Sequence, residues 1–350
     1  MLGGLFFYPL PSGLGRSMVA RRGKGMKLLD NYGRVIKDLR ISITPRCNLH
    51  CLYCHPLGLE MAEPPGTLTV EEVDHFLEAA SLLGLSAVRF TGGEPLVRKE
   101  LPQMIERARS KEGIEDVAIT TNGLLFAKRA KELVQAGLNR VNISLDAITP
   151  EVFTRITRGG KVERVLQAIE TALELGLHPV KLNAVVIRGM NEEEVVPLAN
   201  LSLDRPLHMR YIEYMHLDNS DPEEYRRRFV SGKEIRARIE AVFGPLEPVP
   251  HDPTSPARVF RIPGAQGTLG FINPVTEPFC SNCSRLRLTS DKKLRPCLLT
   301  DLEMDISWAF AAEEPVEALV DAILIATNRK PAFGNTLPTL RKRVMLGIGG

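Results

Sequence analysis

Six cysteines are the residues of this chain best suited to chemistry, and they fall into two groups of three. The first group has the spacing C-x3-C-x2-C, and no cysteine lies outside the two groups. The first triplet is Cys47, Cys51 and Cys54, and the second triplet is Cys280, Cys283 and Cys297. A cubane iron–sulfur cluster has four irons, each of which needs a thiolate or a substitute ligand. Each triplet would leave one iron open, so the sequence predicts two [4Fe-4S] clusters with two different open sites.

Two other uses of the cysteines stay open on the residues alone. Disulfide bonds are one, although closely spaced triplets pair poorly among themselves and a chain of 350 residues does not need such cross-links. A zinc site is the other, although structural zinc prefers four protein ligands. A reducing compartment is favoured over an oxidising one, and we expect a cytoplasmic protein.

The composition is that of a globular chain without a strong overall field. Hydrophobic residues make up 44% of the chain, and 45 basic against 42 acidic residues give a net charge of +3. Any anion must therefore be bound by local arginines, and no nucleic-acid partner is expected. No apolar run approaches the ~18 residues of a membrane span, so no membrane partner is expected. Residues 1–33 are predicted to be an N-terminal lead, either disordered or left by an extended start site.

The segment 34–221 alternates apolar strands with amphipathic helices. Strands rich in Val, Ile and Leu are predicted at 39–44, 87–91, 116–121, 140–145, 180–187 and 209–213. Helices are predicted at 70–83, 101–111, 126–136, 162–175 and 192–201. Six β–α repeats predict an α/β fold, and they favour an incomplete (β/α)6 TIM-like barrel over an open doubly wound sheet.

Polar residues and glycines collect where the predicted strands end. Cys47 follows the first strand, Gly92 and Gly93 follow the second, Asp146 follows the fourth and Met215 the sixth. The carboxyl ends of barrel strands form the rim on which active sites are built. The segment 222–350 instead contains many prolines and a hairpin-like alternation at 259–273. It is predicted to be a C-terminal lid that carries the second triplet and binds substrate.

The first triplet, placed directly after a strand, resembles the signature of the radical S-adenosylmethionine (SAM) superfamily. The resemblance implies a cluster whose open iron binds the methionyl amino and carboxylate groups of SAM, and whose electron releases a 5′-deoxyadenosyl radical. Gly93, in the GGEP stretch 92–95, matches a contact to the methionyl amino group, and Ser144 matches a contact to the carboxylate. Tyr53 and Met215 match positions near the adenine. Without the resemblance, GGEP would be an ordinary turn and Met215 would fill the core.

The chain from about residue 34 to its end is similar to the GTP 3′,8-cyclase family, also called molybdenum cofactor biosynthesis protein A. The stretches that carry this similarity are DLRISIT (38–44), VRFTGGEPL (88–96), VKLNAVVIRGMN (180–191), FCSNCSRLR (279–287) and the final IGG. The resemblance implies that GTP is converted to (8S)-3′,8-cyclo-7,8-dihydroguanosine 5′-triphosphate, in the first step of molybdenum cofactor biosynthesis.

A triphosphate needs local cations with well-placed donors, and the family resemblance identifies several. The residues that match its GTP contacts are Arg40, Arg89, Thr120, Lys181, Arg210, Arg285 and Arg287. The resemblance assigns the guanine base to the open iron of the second cluster. It also implies that the last two residues, Gly349 and Gly350, reach into the active site and support radical initiation.

Three residues depart from the family pattern. Ala87 stands where a lysine that reaches the phosphates is common, so one expected cation is missing. Pro45 and His55 stand where an aspartate and a methionine are more usual around the first triplet. The departure at Ala87 bears on triphosphate affinity, while the other two concern the detail of the loop.

The resemblance also implies partners. They are GTP, an external one-electron reductant, and cyclic pyranopterin monophosphate synthase, which would receive the product. The sequence leaves the oligomeric state open, with a homodimer as one option. Two alternative functions are kept: a radical SAM peptide maturase with an auxiliary iron–sulfur cluster, and a non-catalytic iron–sulfur or zinc redox sensor.

Overall fold

A computed structural model describes residues 27–54 and 65–349, and the structural statements below concern these residues. The strands are β1 (Leu28–Leu29), β2 (Val35–Ile36), β3 (Asp38–Ser42), β4 (Ala87–Thr91), β5 (Asp116–Thr121), β6 (Arg140–Ser144), β7 (Val180–Val186), β8 (Leu207–Glu213), β9 (Glu247–Pro248), β10 (Arg258–Arg261), β11 (Thr268–Ile272), β12 (Arg285–Leu288), β13 (Lys293–Arg295) and β14 (Met304–Asp305). Strands β1 and β2 form a small hairpin, while the other strands form one sheet of twelve.

The helices lie mainly between the parallel strands, as the sequence pattern predicts. They are α1 (Val70–Leu82), α2 (Leu101–Ser110), α3 (Phe126–Gln135), α4 (Pro150–Thr157), α5 (Val162–Glu174), α6 (Val195–Asn200), α7 (Pro222–Arg228), α8 (Gly232–Phe243), α9 (Ser307–Phe310), α10 (Pro315–Asn328) and α11 (Met345–Ile348). No helix in the described part of the chain is both long and apolar enough to cross a bilayer.

The six predicted strands form a continuous parallel run from β3 to β8, each strand pairing with the next in sequence. The order continues outward on both sides and ends at β14 and β9, so the described strands do not close into a barrel. Helix α1 begins with a capping box, in which Thr69 accepts from the Glu72 amide and Glu72 accepts from the Thr69 amide. The α/β fold with an incomplete barrel is confirmed.

The C-terminal region does more than cover the sheet. The predicted hairpin at 259–273 exists as the antiparallel pair of β10 and β11. Strand β11 then adds in parallel to β8, and β12 adds in parallel to β3. The two added strands stand at opposite edges of the six-stranded run, and both contribute residues to the same cavity. The sheet therefore curls around that cavity.

Two local features differ from the sequence predictions. Helix α4 was not predicted, although Pro150 at its first turn is a common helix start. The predicted helix at 192–201 is a 3-10 turn, Glu192–Glu194, followed by the short helix α6. Residues 1–26 of the predicted N-terminal lead lie outside the described residues, and the end of the lead contributes β1.

Candidate active site

A cavity of about 890 Å³ inside the curved sheet brings the two cysteine triplets together. This volume is near the upper end of the roughly 300–1,000 Å³ found for small-molecule sites. All six cysteines line the cavity. The predicted SAM contacts Tyr53, Gly93, Ser144 and Met215 also line it. So do the predicted GTP contacts Arg40, Arg89, Thr120, Lys181, Arg210, Arg285 and Arg287.

The two triplets occupy opposite ends of the strands. The first triplet follows the carboxyl end of β3, whereas Cys280 and Cys283 come just before the amino end of β12. Strands β3 and β12 are parallel neighbours, with Arg285 opposite Asp38. The carboxyl end of β3 and the amino end of β12 therefore lie at opposite ends of the strands. Strand β13 runs antiparallel to β12 and brings Cys297 back to the same end as Cys283.

The thiols of the first triplet are half-buried and lie near carboxylates. Burial raises the pKa of Cys47 to about 11 and that of Cys54 to about 12, with the other thiols and nearby carboxylates adding to the effect. The pKa of Cys51 is also raised, by burial and then by Asp146. Such thiols do not ionise by themselves near neutral pH. They become thiolates when a metal supplies the positive charge, as cluster irons do.

The second triplet lies beside cations. Although burial acts to raise it, the pKa of Cys283 is lowered by Lys330 and Arg285. Burial raises the pKa of Cys297, again opposed by Lys330. Among the described residues, no three or more His, Cys, Asp or Glu side chains converge on a single-ion site. In a mononuclear zinc site every ligand would bind the same ion, whereas a cubane binds each thiolate to a different iron. Each triplet offers three thiols free of disulfide bonds, and three thiolates are the ligand set of a cubane with one open iron.

The GGEP stretch is packed against the loop that carries the first triplet. A Cβ on Gly93 would lie 2.3 Å from the Arg46 carbonyl oxygen, and one on Gly92 would lie 2.4 Å from that of Thr44. The Gly93 amide donates to the Thr44 carbonyl at 2.7 Å. The sequence analysis attributed these glycines to close approach of a ligand. The structure gives a second reason, which is close approach of two backbone segments.

Glu94 ties this loop to the end of β5. Its buried carboxylate accepts hydrogen bonds from the Asn122 amide at 2.7 Å and from the Thr121 hydroxyl at 2.8 Å. Burial raises its pKa to about 7, although these hydrogen bonds act in the opposite direction. The Asn122 side chain in turn lies 3.8 Å from the Cys47 sulfur. Glu94 thus positions the loop beside a cysteine of the first triplet.

Tyr53 is held in place from behind. Its hydroxyl donates to Asp146 at 2.7 Å, and the second oxygen of Asp146 accepts from the Val185 amide at 2.9 Å. Burial raises the pKa of Asp146 to about 6. With its hydroxyl fixed, the ring of Tyr53 lines the cavity beside the first triplet.

Three arginines stand side by side across the sheet. Arg287 pairs in register with Arg40, and Arg40 pairs with Arg89 on the next strand. We call these three residues the arginine row. Burial lowers the pKa of Arg40 and of Arg89 well below its usual value, and it lowers that of Arg287 to about 9, with the neighbouring arginines contributing to each shift. The arginine row is therefore a set of like charges, with Arg287 buried and Arg40 and Arg89 half-buried.

Two more basic side chains, Lys181 and Arg210, extend this wall. Burial lowers the pKa of Lys181 to about 6 and that of Arg210 to about 10, and Arg140 is a further cause for both. Nε of Arg89 and Nε of Arg210 are buried without a hydrogen-bond partner in the described part of the chain. Uncompensated buried cations are costly unless an anion binds them. Ala87 also lines the cavity and leaves this wall without a cation at its position.

The end of the chain enters the sheet. The Gly349 carbonyl accepts a hydrogen bond from Nη1 of Arg287 at 2.9 Å. Gly349 has φ 86°, and a Cβ on it would lie 2.8 Å from Ser42 Cβ and 2.9 Å from Thr91 Cγ2. Gly349 thus lies against the paired ends of β3 and β4, where a side chain would not fit. Gly350 and His55 lie outside the described residues.

Arg140 is a site residue that the sequence analysis missed. Its Nε donates to the two oxygens of Asp116 at 2.7 and 2.9 Å, while Nη1 is buried without a partner among the described residues. Arg140 and Ser144 both line the cavity from β6. Residues four apart on a strand share a face, so the assignment of Ser144 to the site could have led to Arg140.

The sequence matches two family models that together cover most of the chain. Residues 41–202 match the Radical SAM superfamily, and residues 207–335 match the Molybdenum Cofactor Synthesis C family. The fold and the cysteine site thus define a radical SAM protein, which uses SAM and an iron–sulfur cluster.

Relatives place the chain more closely. The GTP 3′,8-cyclase of Pelotomaculum thermopropionicum is 44% identical over 325 residues, which cover 92% of this chain and 99% of the relative. The GTP 3′,8-cyclase of Alkaliphilus metalliredigens is 45% identical over 325 residues, with the same coverage. The chain belongs to the GTP 3′,8-cyclase family.

Solved structures show the same fold at low identity. Streptococcus suis SuiB bound to S-adenosylmethionine has a TM-score of 0.59 and 14% identity, and the match covers 88% of this chain and 71% of SuiB. The structure of anSMEcpe with bound AdoMet has a TM-score of 0.52 and 16% identity, covering 80% of this chain and 82% of that protein. These likenesses concern the fold alone.

Proposed function

We propose that this protein converts GTP to (8S)-3′,8-cyclo-7,8-dihydroguanosine 5′-triphosphate, in the first step of molybdenum cofactor biosynthesis. The observation that carries the proposal is the layout of one cavity. It has a cysteine triplet at each end and a wall of basic side chains between them, in which Nε of Arg89 and Nε of Arg210 have no partner among the described residues. The relatives named GTP 3′,8-cyclase support the same conclusion.

The first triplet is the SAM end of the cavity. Cys47, Cys51 and Cys54 would hold the cluster that, with SAM bound, supplies a carbon-centred radical able to take the 3′ hydrogen of the ribose. Tyr53 is held by Asp146 and presents a fixed ring to the cavity. Gly93, Ser144 and Met215 line the same cavity and are proposed SAM contacts. These contacts would orient the reacting atoms of SAM rather than transfer protons.

The second triplet is the GTP end of the cavity. Cys280, Cys283 and Cys297 would hold a second [4Fe-4S] cluster, whose open iron would take the guanine base. The arginine row, together with Lys181, Arg210, Arg285 and Thr120, would bind the triphosphate. Charge-assisted hydrogen bonds to phosphate are strong and directional, and Arg forms them in pairs. Fixing both ends of GTP presents one ribose C–H bond to the radical source.

The tail completes the site. Gly349 reaches the arginine row through Arg287, so the chain end lies beside the proposed phosphate contacts. We assign Gly349 and Gly350 to radical initiation, as the family resemblance implies. The tight fit of Gly349 against Ser42 and Thr91 supports a defined place for it in the site. An enclosed site also keeps water and other reactants away from a reactive radical.

The reaction requires partners outside the chain. An external reductant would deliver single electrons, and cyclic pyranopterin monophosphate synthase would receive the product. We place the enzyme in the cytoplasm, where a reducing environment keeps thiols available for clusters. The peptide maturase and redox sensor alternatives are not favoured, because this chain aligns with two GTP 3′,8-cyclases over 99% of their length.

A turnover assay tests the proposal. The protein is reconstituted anaerobically with iron and sulfide and incubated with GTP, SAM and dithionite. We expect an isomer of GTP that separates by chromatography and forms together with 5′-deoxyadenosine. The matched control is Cys283→Ala, which keeps the first triplet and should form 5′-deoxyadenosine slowly without the isomer. Formation of 5′-deoxyadenosine by the wild-type protein with GTP left unchanged would contradict the proposed substrate.

A further inference from the structure

Lys330 is a buried lysine at the second triplet for which the proposed reaction has no use so far. Lys330 is 3% exposed and lies just after the end of helix α10. A lysine at this position would ordinarily turn back to the last carbonyls of its own helix. Instead, Nζ donates to the carbonyl of Arg285 at 2.7 Å and to the carbonyl of Pro296 at 2.7 Å. Its contacts therefore point away from the helix and toward the cysteines.

Lys330 also acts on a cysteine of the triplet itself. Burial acts to raise the pKa of the Cys283 thiol, and the neighbouring Lys330 and Arg285 cations lower it. Lys330 lines the same cavity as the three cysteines of the second triplet.

These contacts join the separate segments that carry the triplet. Arg285 lies two residues after Cys283, and Pro296 directly precedes Cys297. One ammonium group thus fixes the distance between two ligand-bearing segments. Arg34 adds a second contact to the segment that carries Cys280 and Cys283. Its Nη1 donates to the Cys280 carbonyl at 2.8 Å, and its Nη2 donates to the Pro331 carbonyl at 2.7 Å.

We propose that Lys330 is a positioning residue that holds the second triplet in its cluster-binding arrangement and raises the reduction potential of the cluster bound there. The inference rests on the proposed second cluster. Hydrogen bonds to the sulfurs and nearby charge both set the potential of an iron–sulfur cluster. A cation beside the cluster stabilises the reduced state, which carries one more negative charge. At the first triplet, the described neighbours that shift the thiols electrostatically are carboxylates and other thiols.

The two cysteine triplets would therefore have different roles in the reaction. The second cluster would be assembled on a braced, positively charged scaffold beside the binding site for an anionic substrate. The proposed reaction gives Lys330 no part in bond breaking. Lys330 acts instead through the cluster ligands and through Arg285, whose carbonyl it holds.

The test uses the full chain with Cys47, Cys51 and Cys54 replaced by Ala, so that only the second triplet can bind a cluster. In this background Lys330→Met removes the charge and the donors at similar length, while Lys330→Arg keeps the charge. The matched control is Arg329→Met, which changes the exposed neighbouring residue. Each variant is reconstituted, its iron content is measured, and its midpoint potential is determined by an EPR-monitored redox titration.

We expect Lys330→Met to have a lower midpoint potential than the background protein, or to lose its iron while circular dichroism shows an intact fold. Lys330→Arg should keep the iron and shift the potential less than Lys330→Met, and Arg329→Met should match the background. An unchanged potential and iron content in Lys330→Met would overturn the inference, and so would equal shifts in Lys330→Met and Lys330→Arg. Absence of any cluster in the background protein would instead overturn the proposed second cluster, and the inference with it.

Discussion

The two cysteine triplets line one cavity, yet their surroundings carry opposite charge. Glu94 and Asp146 act on the first triplet and help to raise its thiol pKa values. Lys330 and Arg285 act on Cys283 in the second triplet and lower its pKa. Negative neighbours disfavour an added electron and make a reduced cluster a stronger donor, whereas positive neighbours do the reverse. The same ligand count can therefore serve electron donation at one end and anionic substrate binding at the other.

The arginine row separates these two ends. Arg287 and Arg40 act on each other and lie on the side of the second triplet, whose Cys283 lowers the cost of their burial. Arg89 lies on the strand that leads to GGEP at the first triplet. Because the row crosses the strands at one level between their two ends, a molecule bound against it would lie between the second triplet and the first. Substitutions at the two ends of the cavity should therefore have different effects.

The largest effect is expected at the first triplet. Cys51→Ala should abolish formation of 5′-deoxyadenosine, because two thiolates do not hold a cubane with one open iron. The second triplet should keep its own cluster, so about half of the wild-type iron should stay bound. The measurements are 5′-deoxyadenosine by chromatography and iron per chain. A normal rate of 5′-deoxyadenosine formation in this variant would contradict the assignment of the first triplet.

The next effect is expected at the tail. Gly349→Ala places a Cβ 2.8 Å from Ser42 at φ 86°, so the chain end should leave its position. We expect cyclised product to fall by roughly tenfold or more, which corresponds to about 1.4 kcal/mol. Iron content and GTP binding should be nearly unchanged. Gly113→Ala is the matched control, since Gly113 has φ 83° and open space around it. Equal losses in both variants would reduce the tail effect to backbone strain.

An effect of similar size is expected from single cations at the second end. Arg287→Ala should weaken transition-state stabilisation in GTP turnover by about 1–3 kcal/mol, the scale of a lost charge-assisted hydrogen bond. SAM binding should barely change, because the SAM contacts lie toward the other triplet. The measurements are kcat/KM for GTP and Kd for SAM, with the exposed Arg329→Ala as control. Equal loss of both ligands would indicate collapse of the loop rather than loss of a phosphate contact.

The smallest effect concerns pH and the acidic end. Burial raises the pKa of Glu94 to about 7, above its ordinary value, so the cluster-free protein favours the protonated carboxyl. This contribution to stability is full below about pH 4.5 and is lost as pH rises through about 7. Glu94→Gln should flatten that pH dependence by an amount on the order of 1 kcal/mol. Denaturant unfolding at pH 5 and pH 8 measures it. An unchanged pH slope would show that Glu94 does not titrate in this range.

The sequence predicted regular elements better than the contacts between distant segments. The bounds of β4 and β5 match the predicted strands, because buried parallel strands read as continuous apolar runs. Lys330 was not predicted as a site residue, since its partner carbonyls lie 45 and 34 residues away along the chain. Arg140 was missed because a single arginine at the start of a strand looks like a surface charge.

Gly93 also has a contact that its local sequence did not predict. The family resemblance placed Gly93 at SAM, and its residue does line the cavity. The structure adds that its missing side chain makes room for the Arg46 carbonyl. Such a contact depends on how two loops meet in space, and local sequence patterns do not carry that information. The predicted SAM and GTP contacts stay predictions for the individual residues, although the cavity brings them together.

In the proposed complex, GTP lies in the cavity with its ribose facing the radical source at the first triplet. GTP deuterated at the ribose 3′ position tests this placement by isotope transfer. We expect deuterium to appear in the 5′ methyl group of 5′-deoxyadenosine during anaerobic turnover, in step with formation of the cyclised nucleotide. Deuterium-free 5′-deoxyadenosine, formed while the nucleotide cyclises, would show that the ribose 3′ hydrogen is not the one abstracted.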